Sequence, residues 1–107
     1  MTDQTKTRRE KLEALLVRNP NDAFTLYGLA LEHVNSGDFP TAESYFRRLI
    51  EANPEYVPGY QMYAQNLAQQ ERAADAKAVL TQGIQAAIRA GNQHARSEME
   101  ALRDNLG

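Results

Sequence analysis

Apolar positions in this chain recur with the 3.6-residue period of helices that bury one side. A first stripe, Leu12, Leu15, Leu16 and Val17, follows Thr7-Arg8-Arg9-Glu10, which has the spacing of a capping box. Asn19-Pro20 ends it, because proline disfavours the helical region for the residue before it. Residues 22–36 carry two stripes, Leu26, Leu29, Ala30 and His33 on one side and Phe24, Tyr27, Leu31 and Val34 on another. A helix apolar on most sides is buried on most sides or offers one side to a ligand. Gly28 lies between the stripes, where it costs about 1 kcal/mol relative to alanine. Either the close approach of another backbone or simple tolerance accounts for it.

Ser36-Gly37-Asp38 reads as a turn, with glycine suited to the left-handed position past a helix and aspartate capping the next one. Pro40 falls in that helix's first turn, and Ala42, Tyr45, Phe46, Leu49 and Ile50 carry the stripe to Asn53-Pro54. A fourth helix begins near Val57-Pro58 and repeats the inner stripe with Tyr60, Tyr63, Ala64 and Leu67. Its turn, Gln69-Gln70-Glu71-Arg72, lacks the glycine. Ala73 to Ala90 follows, carrying Ala76, Val79, Leu80, Gly83, Ile84, Ala87 and Ile88, and Gly91-Asn92 stops it. A last helix over 93–106 aligns Ala95, Met99, Leu102 and Leu106 opposite a charged side. Six helices and no strands are expected, with residues 1–4 frayed.

The helices repeat. Asn19-Pro20 falls on Asn53-Pro54, Ala30 on Ala64 and Ala42 on Ala76, each 34 positions on. Leu12, Phe46 and Leu80 coincide, as do Leu16, Ile50 and Ile84. Such a period marks stacked helix pairs that cannot each bury their apolar face alone. This pattern resembles the tetratricopeptide repeat. Leu26, Leu29-Ala30, His33, Ala42, Phe46, Leu49 and Pro54 fill its places in one repeat. Tyr60, Tyr63-Ala64, Leu67, Ala76, Leu80 and Gly83 fill them in the next. His33 and Leu49 depart from the usual residue types, and the second repeat lacks its turn glycine and closing proline.

The resemblance implies a right-handed α-solenoid in one domain over 1–107. Its parts would be an N-terminal half-repeat helix (5–19), repeats at 22–55 and 56–90, and a capping helix (92–106). It also implies a concave groove, lined by the first helix of each pair, that holds a peptide or helix of a partner. By position the groove takes Phe24, Tyr27, Leu31, Val34 and Asn35 from one repeat, and Pro58, Gln61, Gln65, Ala68 and Gln69 from the next. The residues themselves agree: the outer stripe of 22–36 is not needed against its own partner helix, and Gln61, Gln65 and Gln69 recur every fourth residue. Amides donate and accept, so such a row can pair with a peptide backbone beside an apolar wall. Arg96, Glu100 and Arg103 of the cap would join them. The alternative is that the stripe is covered by the N-terminal helix or by a second copy of the chain in a homodimer. Relatives that clamp a chaperone's terminal carboxylate use lysine, arginine and asparagine at places held here by Tyr27, Leu31 and Met62, so that activity is not expected.

Composition narrows the partners. The net charge of −2 across 107 residues argues against a nucleic-acid surface, and Glu10 and Glu13 interrupt the early basic residues. No apolar run is long enough for a membrane span, and no secretory leader is visible, so a cytoplasmic protein is expected. Cysteine is absent, which removes disulfides and thiolate chemistry. His94 and Glu98 lie four apart without a third ligand at metal spacing, and His33 reads as a packed, hydrogen-bonded core histidine. Glu71 and Asp75 share a face with no nucleophile beside them. Neither a cofactor nor catalysis is expected.

Overall fold

The computed structural model describes residues 7–107, so the expectation for residues 1–4 lies outside it. Its helices are α1 (Arg8–Arg18), α2 (Ala23–Asn35), α3 (Phe39–Ala52), α4 (Val57–Gln69), α5 (Ala73–Ala90) and α6 (Gln93–Asn105). Each packs mainly against its neighbours in sequence, which makes a stack rather than a ball. The extents are 49 × 29 × 20 Å. The radius of gyration, 14.5 Å, exceeds the ~13 Å of a compact domain this long.

The starts of the helices follow from local chemistry. Thr7 and Glu10 form the full capping box on α1. The Asp22 carboxylate accepts from the Thr25 amide at 2.9 Å and the Thr25 hydroxyl at 2.7 Å, and Asp38 accepts from the Thr41 amide at 3.3 Å. Both aspartates are held below the usual carboxylate range, first by hydrogen bonding to the side chain of Thr25 or Thr41 and then to its amide. Pro40 and Pro58 sit in first turns, where a missing amide hydrogen leaves no bond unmade.

Three helix ends are built alike. Beyond α2, Asp38 N–H donates to the His33 carbonyl and Gly37 N–H to that of Val34. Arg72 and Glu71 do the same beyond α4, toward Leu67 and Ala68, and Asn92 and Gly91 beyond α5, toward Ala87 and Ile88. This double bond pattern needs a left-handed residue, supplied by Gly37 (φ 79°), Glu71 (φ 59°) and Gly91 (φ 69°). So the turn without a glycine keeps the geometry of the turns that have one. Glu71 takes the strained conformation instead.

The inner stripes meet as expected: Leu26, Ala30, Ala42, Phe46, Leu49, Tyr60, Tyr63, Ala64, Leu67, Ala76 and Leu80 are all buried in one core. The Phe46 and Tyr63 rings stack across the repeat boundary with centroids 5.7 Å apart. Repeats are also tied by polar bonds. Asn53 Nδ2 donates to the Asn21 carbonyl at 2.9 Å, Arg48 to that of Pro20 at 3.2 Å, and Tyr60 Oη to that of Pro54 at 2.7 Å. The buried Glu43 carboxylate of α3 takes Arg72 at 2.7 Å and Arg47 at 3.0 Å, satisfying a charge that burial would otherwise penalise.

α1 departs from expectation. Leu12 is buried and Leu16 half-buried, but Leu15 and Val17 are 46% and 82% exposed. One neighbouring helix covers only part of a four-residue stripe.

Candidate functional site

The residues of the expected groove lie on α2 and α4. On α2, Tyr27, Leu31 and Val34 are half-buried and pack against the core edge. Asn35 is exposed at the helix end. The Tyr27 ring meets Tyr56 edge-on, with centroids 5.4 Å apart and planes at 62°. Tyr56 immediately precedes α4, so this pair joins the two helices at one end of the face. Sequence reasoning missed Tyr56; its signal was an aromatic residue just before a proline-started helix. Burial raises the Tyr27 hydroxyl above the ordinary tyrosine value, and Tyr56 adds to it. Burial raises Tyr56 likewise, with a contribution from the Asp22 charge.

On α4, Gln61 is half-buried while Gln65 and Gln69 are exposed, with Pro58 exposed and Ala68 half-buried on the same side. Tyr27, Leu31, Val34 and Tyr56 are thus half-buried against the core, while the amides of Gln65 and Gln69 stand in water. The cap is occupied elsewhere in part. Arg96 Nε lies 3.2 Å from Glu100, and the Arg103 guanidinium reaches Thr81 Oγ1 of α5 at 3.4 Å.

Phe24 stands apart from the other stripe residues. It is 64% exposed and lines a depression of about 370 Å³ with Arg8, Lys11, Leu12 and Leu15 of α1. The α1–α2 seam has rungs at helical spacing along α2: Phe24 beside Leu15, Gly28 beneath Leu12, and Glu32 paired with Arg8 at 3.0 Å. Gly28 is therefore approached by a side chain, not by a backbone.

His33 is packed as expected, its ring 5.5 Å from that of Tyr45 and nearly parallel to it. Its Nδ1, however, has no hydrogen-bond partner; Asp38 Oδ2 is 3.7 Å away, beyond hydrogen-bond reach. Exposed His94 pairs with Glu98 at 3.2 Å. Among the described residues, no three acidic or histidine side chains converge as metal ligands. Asp75 is taken by Arg72 at 3.0 Å. Among the same residues, no helix is long and apolar enough to cross a membrane.

Comparison with known proteins places this arrangement. Models of the tetratricopeptide repeat match residues 9–55 and 33–99. The chain is similar to a tetratricopeptide repeat domain protein of Salinibacter ruber, at 32% identity and a TM-score of 0.77, over 82% of this chain and 89% of that one. A Bordetella parapertussis protein shares the fold at 22% identity and a TM-score of 0.80, covering 95% and 89%. So does SycD, a type III secretion translocator chaperone of Yersinia enterocolitica, at 14% identity and a TM-score of 0.83, covering 92% and 68%. No match is found among curated proteins.

Proposed function

Because the chain belongs to the tetratricopeptide repeat family, we propose that it is a protein-interaction module capturing a peptide segment or helix of a partner on the α2–α4 face. The observation that supports this most is the set of half-buried apolar residues Tyr27, Leu31, Val34 and Tyr56, in which the Tyr27 and Tyr56 rings meet. Tyr27 and Leu31 anchor apolar side chains of the partner. Gln61 and Gln65 exchange hydrogen bonds with its backbone, and Gln69, Asn35, Arg96 and Arg103 form a polar rim. The role is that of a scaffold or adaptor working in the cytoplasm without catalysis.

Affinity capture from a lysate of the source organism tests the reading. Wild type is compared with Tyr27→Ala/Leu31→Ala, whose folding is checked by circular dichroism, and with Gln65→Ala/Gln69→Ala, which alters only exposed side chains. A partner held by wild type and lost from both variants supports the face. An identical set captured by all three forms overturns it. Capture of the chain's own copies alone transfers the stripe to self-assembly.

A further inference from the structure

The turns that lead into α2 and α4 are alike. Asp22 N–H donates to the Asn19 carbonyl at 3.2 Å, and Tyr56 N–H to that of Asn53 at 3.0 Å. Asn53 Nδ2 in turn donates to the Asn21 carbonyl at 2.9 Å, which ties the two turns together. Asp22 and Tyr56 thus close adjoining turns, and Tyr27 of α2 brings its ring to that of Tyr56, with centroids 5.4 Å apart. All three residues are half-buried, so each keeps part of its side chain at the surface. Among the described residues neither of these two tyrosine hydroxyls is hydrogen-bonded, whereas that of Tyr60 donates to the Pro54 carbonyl. The Asp22 carboxylate caps α2 through Oδ2, which accepts from both the amide and the hydroxyl of Thr25. Among the described residues no cation pairs with it. Arg48 donates to the nearby Pro20 carbonyl at 3.2 Å, and Arg89 pairs with Glu55 at 3.1 Å.

We propose, resting on the capture face argued above, that Tyr27, Tyr56 and Asp22 receive a lysine or arginine side chain of the captured peptide. The partner then carries a cation beside its apolar anchors. Charge complementarity argues for that occupant. An aromatic face is electron-rich and attracts a cation, the more so beside a carboxylate that no cation of the chain neutralises. In an edge-to-face pair, the ring that offers its edge keeps its own faces clear of the other ring. Tyr56 feels the carboxylate: burial first, and then the Asp22 charge, raise its hydroxyl above the ordinary value. Tyr27 is raised by burial and then by Tyr56. Both phenols therefore stay neutral at neutral pH, and their oxygens accept from an ammonium or a guanidinium. Asp22 Oδ1, which takes no part in the cap, supplies the ionic acceptor. Other occupants fit less well. An anionic group would be repelled by Asp22, and a purely apolar one would strip water from that carboxylate without replacing it.

The capped peptide Leu-Ala-Arg-Ala-Leu tests this, because alternate residues of an extended segment put both leucines and the arginine on one side. Its control carries glutamine for arginine, which keeps amide donors and removes the charge. Each is titrated into the isotope-labelled full chain and followed by amide, methyl and aromatic resonances. The arginine peptide is expected to shift the Tyr27 and Tyr56 rings and to bind about fivefold tighter than the control. Asp22→Asn keeps a capping side chain without the charge, and Tyr56→Leu keeps apolar bulk without the ring. Each is expected to bring the ratio of the two affinities toward one. Equal binding of both peptides to wild type, with shifts at Tyr27 and Leu31, overturns the cation site and leaves the capture face standing. A preference that survives Asp22→Asn overturns the site as well. Shifts confined to other helices, or none from either peptide, overturn both. A concentration-dependent shift of Tyr27 and Tyr56 without peptide assigns the cluster to a second copy and overturns the proposal too.

Discussion

Replacing either of two buried helical glycines by alanine gives different results here, because the atoms that each new Cβ meets differ in how far they can yield. A Cβ on Gly83 would lie 2.5 Å from Tyr60 Cβ and 2.6 Å from Met99 Sδ. The methionine can swing away, but Tyr60 Cβ is fixed to the backbone of α4, so α4 and α5 must separate. Overpacking costs about 1–3 kcal/mol, and overlap with an atom fixed to the backbone falls in the upper part of that range, about 2–3 kcal/mol, against which alanine recovers about 1 kcal/mol of helix propensity. Gly83→Ala is expected to lose about 1–2 kcal/mol, or roughly 5–10 °C in Tm. On Gly28 the nearest atoms are the Leu12 methyl carbons at 3.2 and 3.3 Å. Leu12 is a flexible side chain on a helix covered along one side, so it can yield a few tenths of an ångström. Gly28→Ala should then fall between no change and a gain of about 1 kcal/mol. Thermal and urea unfolding followed by circular dichroism measure both. A Gly83→Ala protein as stable as wild type, or a Gly28→Ala protein less stable than Gly83→Ala, refutes the packing argument.

Glu71→Gly is expected to stabilise the chain by about 1 kcal/mol, because glycine takes the left-handed conformation without the Cβ clash; a lower urea midpoint would contradict that. The folded-state carboxyls of Asp22 and Asp38 titrate below their ordinary value of 3.8. Their stabilisation is therefore present above that value and is lost as pH falls through the lowered folded values. Asp22→Asn/Asp38→Asn should have a flatter stability profile below about pH 4, and an unchanged slope in acid denaturation would count against it. Tyr27 and Tyr56 should ionise above the ordinary tyrosine value of 10.0. Spectrophotometric titration checks this: Tyr56→Phe should lower the Tyr27 midpoint by removing a charge that opposes it, and a rise would show the pair is misread.

Elements whose cause is local were legible in the sequence. Thr7 with Glu10, Asp22, Asp38, Pro40 and Pro58 announce helix starts through groups a few residues away, and the repeating stripes locate the core. What escaped depends on neighbours distant in sequence. Glu71 adopts a glycine's conformation because packing of α4 on α5 demands the same turn as between α2 and α3. Phe24 shares a stripe with Tyr27 and Leu31, yet it lines the α1 depression, because the turn of α2 carries it toward Leu15. Tyr56 precedes its helix and shows no periodicity, so only the fold reveals its contact with Tyr27. His33 looked like a satisfied core histidine, but the α2–α3 turn leaves Asp38 just too far from Nδ1.

Hydrogen–deuterium exchange of the full chain, free and bound to the partner that affinity capture identifies, tests the central claim most directly. The account predicts slowed exchange in α2 and α4, at the amides around Tyr27, Leu31, Gln61 and Gln65, with the outer faces of α3 and α5 unchanged. Protection confined to α3 and α5, with α2 and α4 exchanging as in the free chain, would contradict it.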